Sequence, residues 1–161
     1  MQIFIGGIGC FWDETEYQGV PGIISTECGY CGGKNPKVTY EQVCGWDTEH
    51  IEVVKVTFDP KIISYEDVTR LFFKIHDPTT LDRQGPNVGY QYKSAIFYNT
   101  EEEKFSAQKI LDEVNKKLNG KVVTVIRKEK NYNPAEQYHQ DFHAKRKKKW
   151  HWLNQVGSMR I

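Results

Sequence analysis

Net charge is nearly absent from this sequence: 22 Lys and Arg against 21 Asp and Glu leave +1 over 161 residues. No whole-molecule field then draws the chain to nucleic acid or to an anionic membrane, and partners have to be argued locally. Long hydrophobic runs are missing too. The uncharged stretch at residues 3–12 is too short to span a bilayer and has no basic segment before it, so the expectation is no membrane, no export signal and a cytoplasmic protein. Cysteine is scarce, with Cys10, Cys28, Cys31 and Cys44 and none after them. In a reducing compartment such thiols are catalytic, metal-binding or inert rather than structural disulfides. There is no internal repeat or linker, and the length suits one self-sufficient core, so residues 1–161 are expected to form a single domain.

What is present reads as alternating strands and helices. Residues 2–5 are apolar and β-prone, Gly6, Gly7 and Gly9 interrupt them, and residues 10–18 have helix-compatible composition up to the Gly19, Pro21, Gly22 stop. Residues 23–30 read as a second strand, parallel to the first if the helix is a crossover. A long loop is expected over residues 32–48. Residues 51–59 form the clearest strand, with Glu52, Val54, Val56 and Phe58 on one face and Ile51, Val53 and Thr57 on the other. Ser64 and Asp67 start a helix whose apolar spacing runs through Val68, Leu71, Phe72 and Ile75, ending at Asp77 and Pro78. Residues 79–89 read as irregular and 94–98 as a strand. Thr100 and Glu103 cap a second helix that ends at Gly120, and residues 121–128 form a last strand. The sum is two β-α-β units with a further helix and strand: an α+β fold, helices layered against a mixed sheet.

Two residues carry the chemistry in this pattern. A thiol at the first turn of a helix meets unpaired N–H groups and the positive dipole end, which favours the thiolate, and Cys10 has that setting after three glycines. An arbitrary cysteine is more often a small buried hydrophobe. Phe11 and Trp12 beside it suit either a core or a pocket for a methyl or thioether group. Glu52 shares a strand face with Val54, Val56 and Phe58; burial there raises a carboxyl pKa and suits it to donate a proton, whereas a rim position would pair it with a lysine. Cys28, Cys31, Cys44 and His50 allow a zinc reading, weakened because Cys28 falls within a strand and no second tight knuckle follows. A thioredoxin-type use of Cys28 and Cys31 lacks the following helix, and a Cys-His hydrolase using His50, His76 or His139 lacks a local signature. The basic run at residues 145–149 reads as a solvated face, not a nucleic-acid site.

The segment Gly9-Cys10-Phe11-Trp12 resembles the G-C-F-W signature of A-type methionine sulfoxide reductases, the peptide-methionine (S)-S-oxide reductases. Further blocks resemble that family in order: Gly29-Tyr30-Cys31-Gly32-Gly33, Thr39-Tyr40-Glu41-Gln42-Val43-Cys44, His50-Ile51-Glu52-Val53-Val54, His76-Asp77-Pro78-Thr79, Gln91-Tyr92-Lys93-Ser94-Ala95-Ile96 and Pro134-Ala135-Glu136-Gln137-Tyr138-His139-Gln140. The resemblance implies a two-layer α/β plait of ferredoxin-like units with an irregular C-terminal segment. It implies Cys10 as nucleophile, Glu52 as acid, and Tyr40 and Tyr92 as hydrogen-bond donors to the sulfoxide oxygen. Phe11 and Trp12 would hold the substrate methyl, and His139 would lie near the substrate backbone. The implied substrate is the S epimer of free or protein-bound methionine sulfoxide, with no metal or resident cofactor and with thioredoxin as the thiol reductant.

Two departures stand out. Asp13 occupies a position where most members have Gly, and its charge opposes thiolate formation at Cys10. The family's G-N-D-x-G loop reads Gly85-Pro86-Asn87-Val88-Gly89, so Asn87 replaces a substrate-binding Asp with an uncharged acceptor. The Cys10 sulfenic acid formed on reduction needs a second thiol. A right-handed crossover brings the loop of Cys31 towards Cys10, and the glycines around it permit movement, which makes Cys31 the expected partner with Cys44 as runner-up.

Overall fold

The computed structural model describes residues 1–7, 14–44 and 48–136. In chain order its strands are β1 (Gln2–Gly7), β2 (Ile23–Cys31), β3 (Ile51–Phe58), β4 (Arg83–Gln84), β5 (Asn87–Val88), β6 (Ala95–Tyr98), β7 (Val125–Lys128) and β8 (Asn133–Pro134). Its helices are α1 (Tyr40–Cys44), α2 (Tyr65–Lys74) and α3 (Glu101–Lys117), with single 3-10 turns at Glu14–Glu16 and Tyr90–Tyr92. The main sheet has the order β7-β6-β1-β3-β2-β8, and β4 with β5 forms a separate hairpin. β1 and β2 run in the same direction, as expected, but β3 lies between them and is antiparallel to both. β7 is parallel to β6.

The strands bury because their alternation is apolar on both faces in the middle of the sheet. On one face Phe4, Cys28, Tyr30, Val54, Val56 and Phe58 meet Val68, Phe72 and Phe73 of α2 and Ala107 and Ile110 of α3. A Cβ on Gly6 would come within 2.6 Å of the Phe72 ring, so glycine there lets α2 close onto β1. The opposite face carries Ile5, Cys31, Ile51, Val53, Ala95 and Phe97, with Tyr90 and Tyr132 packed over it.

Both long helices start where expected. The Ser64 hydroxyl accepts from the Asp67 N–H at 3.0 Å, and Thr100 and Glu103 form a reciprocal capping box. The Arg70 guanidinium ties α2 to Glu113 of α3 at 2.9 Å. His76, just past α2, donates from Nδ1 to the Phe72 carbonyl at 2.6 Å, which leaves Nε2 to accept from the Ser94 hydroxyl at 2.8 Å. Burial pushes its pKa down to about 4, so it stays neutral and braces α2 against the start of β6.

Four sequence expectations change. The described part of the expected helix at residues 10–18 holds only the 3-10 turn at Glu14–Glu16, followed by turns. The expected loop at residues 32–48 contains α1, opened by a second capping box: the Thr39 N–H donates to Gln42 Oε1 at 2.9 Å and the Gln42 N–H to Thr39 Oγ1 at 3.3 Å. Residues 79–89 are not wholly irregular but fold into the β4–β5 hairpin through Gly85, which takes a positive φ of 56°. The last expected strand is shorter, starting at Val125, and β8 adds an edge that the sequence pattern did not show.

Candidate functional site

β1 and β2 end, and β3 and β6 begin, at one end of the sheet, and the candidate site is built there. Gly7, three residues before Cys10 in sequence, pairs with Val53, and Tyr30 pairs with Glu52. Glu52 is the second residue of β3 and is 1% exposed. Its side chain falls on the face of Val54 and Val56, as the alternation predicts. Neither carboxyl oxygen has a hydrogen-bond partner among the described residues. Burial pushes its pKa up to about 8, and the nearby Tyr92 hydroxyl offsets the rise only in part. Near neutral pH the group is therefore mainly a protonated acid. The rim reading, a glutamate paired with lysine, does not apply.

Tyr92 comes from the 3-10 turn at Tyr90–Tyr92 and Tyr40 from the first position of α1. Burial raises the pKa of both phenols; Glu52 adds to the rise at Tyr92, and Cys44, Tyr92 and Glu52 add to it at Tyr40. Three neutral O–H groups thus converge from three elements. Such a set can hold a partly negative oxygen and protonate it.

Two further side chains shape the cluster, and sequence reading assigned neither of them a role. Glu136 accepts from the Tyr40 backbone N–H at 2.6 Å and from the Tyr30 hydroxyl at 2.8 Å, fixing the start of α1 to β2. Gln91 donates from Nε2 to the Cys44 sulfur at 3.6 Å. Both residues lie in the resemblance blocks, but nothing in their type or spacing points to these contacts.

The other predicted residues are placed as follows. Asn87 is half-buried in β5, on the hairpin that leads through Gly89 into the Tyr92 turn. Cys31 does not join the Glu52 cluster: its side chain belongs to the opposite face of the sheet, 0% exposed, with the thiol donating to the Lys130 carbonyl at 3.5 Å. Burial pushes its pKa up to about 12. Cys28, on the Glu52 face, is also fully buried and donates to Glu14 at 3.3 Å. The zinc alternative fails on this geometry, because Cys28 and Cys31 point to opposite faces and His50 is engaged with the Asn35 carbonyl at 2.7 Å. Among the described residues no group of three His, Cys, Asp or Glu side chains is placed to hold a metal. Cys10, Phe11, Trp12, Asp13 and His139 lie outside the described residues.

A family model described as peptide methionine sulfoxide reductase matches residues 1–159. The chain belongs to that family. Peptide methionine sulfoxide reductase MsrA of Pelagibacter ubique is 52% identical over 147 residues, 91% of this chain and 100% of that protein. MsrA of Saccharolobus solfataricus is 48% identical over 148 residues, 91% of this chain and 84% of that one. Among solved structures, reduced Mxr1 of Saccharomyces cerevisiae superposes with a TM-score of 0.84 at 36% identity, covering 90% of this chain and 84% of that one. Mxr1 in complex with Trx2 gives 0.62 at 26% identity, covering 86% and 83%. By membership the chain is an oxidoreductase acting on methionine sulfoxide, with a mixed α/β fold around a central sheet. Among the described residues no helix is long and apolar enough to cross a membrane.

Proposed function

We propose that the Glu52, Tyr40 and Tyr92 cluster is where the oxygen of an S-epimer methionine sulfoxide, free or protein-bound, is held while Cys10 attacks its sulfur. The observation that carries this is a fully buried carboxyl with the Tyr92 hydroxyl against it and the Tyr40 phenol beside them. An acid kept neutral by burial lacks only the acceptor that a substrate oxygen supplies. The Cys10 thiolate adds to the sulfoxide sulfur as Glu52 protonates the oxygen, forming an S–S bond. The oxygen then leaves methionine sulfur with its electron pair and bonds to the Cys10 sulfur as the S–S bond breaks, so that the S–S pair stays on methionine sulfur and Cys10 becomes a sulfenic acid. Tyr40 and Tyr92 donate to the oxygen throughout. Phe11 and Trp12 seat the substrate methyl, Asn87 helps bind the substrate as an uncharged acceptor, and His139 lies near its backbone.

The proposal extends to the frame of the site. The β6-β1-β3-β2 order with α2 and α3 on one face supports a ferredoxin-like plait, closed by an irregular C-terminal segment within a single domain. No resident cofactor is needed. A thioredoxin-type protein in the cytoplasm returns the enzyme to its thiol form, a reading supported by the Trx2 complex of yeast Mxr1.

The test is turnover of the separated S and R epimers with dithiothreitol, for the native chain and for Cys10→Ser. Serine is too weakly acidic to replace the thiolate near neutral pH. The expected result is S-selective turnover that the substitution abolishes; equal use of both epimers, or activity retained in the serine variant, would overturn the assignment.

A further inference from the structure

We infer that Cys44, rather than Cys31, is the thiol that condenses with the Cys10 sulfenic acid, so that the oxidised enzyme carries a Cys10–Cys44 disulfide. The inference rests on the reaction proposed above. Cys44 closes the single turn of α1 that begins with Tyr40. It is the exposed one of the three described cysteines, and its sulfur lies against the Tyr40 hydroxyl and receives the Gln91 amide at 3.6 Å. Gln91 belongs to the same 3-10 turn as Tyr92. The sulfur therefore stands in the same cluster as Glu52, whose buried carboxyl beside Tyr92 marks where the substrate oxygen goes. By the reaction proposed above that oxygen passes from these groups to Cys10, so the sulfenic acid is formed at the cluster that includes Cys44.

The other two thiols are held away. Cys31 lies across the sheet, and its residue is paired with Ile51 while the next N–H donates to the Lys130 carbonyl at 2.8 Å. Bringing its sulfur to the Glu52 face means rotating a strand residue through the ladder, against the period of two that sets strand faces. Cys28 is on the correct face but sits mid-strand opposite Val54, fully buried, donating to Glu14. A disulfide requires Cα atoms about 4.4–6.8 Å apart, and the end of a one-turn helix can shift to that distance more readily than the middle of a sheet.

The step balances without another reagent. The Cys44 sulfur attacks the Cys10 sulfur, the S–S bond forms as the S–OH bond breaks, and the thiol proton leaves with the hydroxide as water. An external dithiol then reduces the disulfide by exchange.

The experiment gives the full chain one equivalent of the S sulfoxide without reductant, measures methionine formed, maps disulfide-linked peptides, and traps sulfenic acid with a dimedone-type probe. Expected are one equivalent of methionine, a Cys10–Cys44 linkage and little trapped adduct. In Cys44→Ser the Cys10 adduct should accumulate, and thioredoxin-driven steady-state turnover should fall by on the order of 10-fold or more relative to the native chain, as loss of one exchange partner implies. A Cys10–Cys31 or Cys10–Cys28 linkage, or thioredoxin-driven turnover in Cys44→Ser equal to that of the native chain, would overturn the inference while leaving the reductase assignment standing. Absence of methionine in the native sample would instead overturn the reaction on which it rests.

Discussion

Replacing Glu52 by Gln should make the protein more resistant to heat as it destroys catalysis, with a gain that grows with pH. Burial raises the pKa of this carboxyl from an ordinary 4.5 to about 8. The folded state therefore holds a proton that the unfolded chain releases above the lower value, and folding loses stability as pH rises between the two. The stability linked to this group is fully present below the unfolded value and lost by the folded one. From about pH 5 to about pH 8 the slope of 1.36 kcal/mol per unit sums to about 4 kcal/mol, an upper bound because relaxation around the charge reduces it. Glutamine carries no such slope. At roughly 2–4 °C per kcal/mol for a chain of this size, the variant's melting advantage should widen by up to about 8–16 °C across that interval. Thermal melts of both proteins at matched pH values measure it. In single-turnover assays the variant should reduce sulfoxide on the order of 10² to 10⁴ more slowly, the loss typical of a missing general acid. A melting difference that stays constant with pH would refute the reasoning, since it would mean the carboxyl is ionised throughout.

Tyr92→Phe should lower kcat/KM by on the order of 10², as for a lost donor to a developing oxyanion, and should move the alkaline limb of the pH-rate profile upward, because the hydroxyl now favours the Glu52 carboxylate. A limb that stays in place would separate Tyr92 from Glu52. Glu136→Gln weakens charge-assisted bonds to Tyr30 and to the Tyr40 N–H; the expected result is a loss of about 1.5–3 kcal/mol in denaturant melts together with a raised KM for sulfoxide. Thr100→Ala removes a capping box remote from the site and should reduce stability by about 1 kcal/mol with kcat unchanged.

The sequence made the centre of the site legible because its signals are periodic. The alternation through Val54, Val56 and Phe58 forecast the face and burial of Glu52, and the caps at Ser64 and Thr100 forecast both long helices. Less legible were features that depend on partners distant in sequence. The Glu136 bonds to Tyr30 and Tyr40 span 106 and 96 residues, and neither partner predicts the other by type or spacing. The α1 turn carried a readable signal, Thr39 followed three residues later by Gln42, but it was outweighed by the glycine, proline and asparagine content around it. Asn87 falls on a hairpin whose turn chemistry lies in Gly85 and not in the apolar pattern.

The face assignment of β2 also changes what its Cys-Gly-Tyr-Cys spacing can mean. Three residues along a helix return to nearly the same side, whereas three along a strand change sides, so here an odd offset sorts the two sulfurs into separate compartments of the protein. They can neither share a metal nor exchange electrons directly, and oxidation of one leaves the other untouched. Moving the second cysteine back to position 30, where tyrosine now shares a face with Cys28 and Glu52, would place both sulfurs on one side of the sheet, at the loss of the Tyr30 bond to Glu136. In a strand, therefore, parity of spacing decides whether neighbouring cysteines form a redox pair or two unrelated residues.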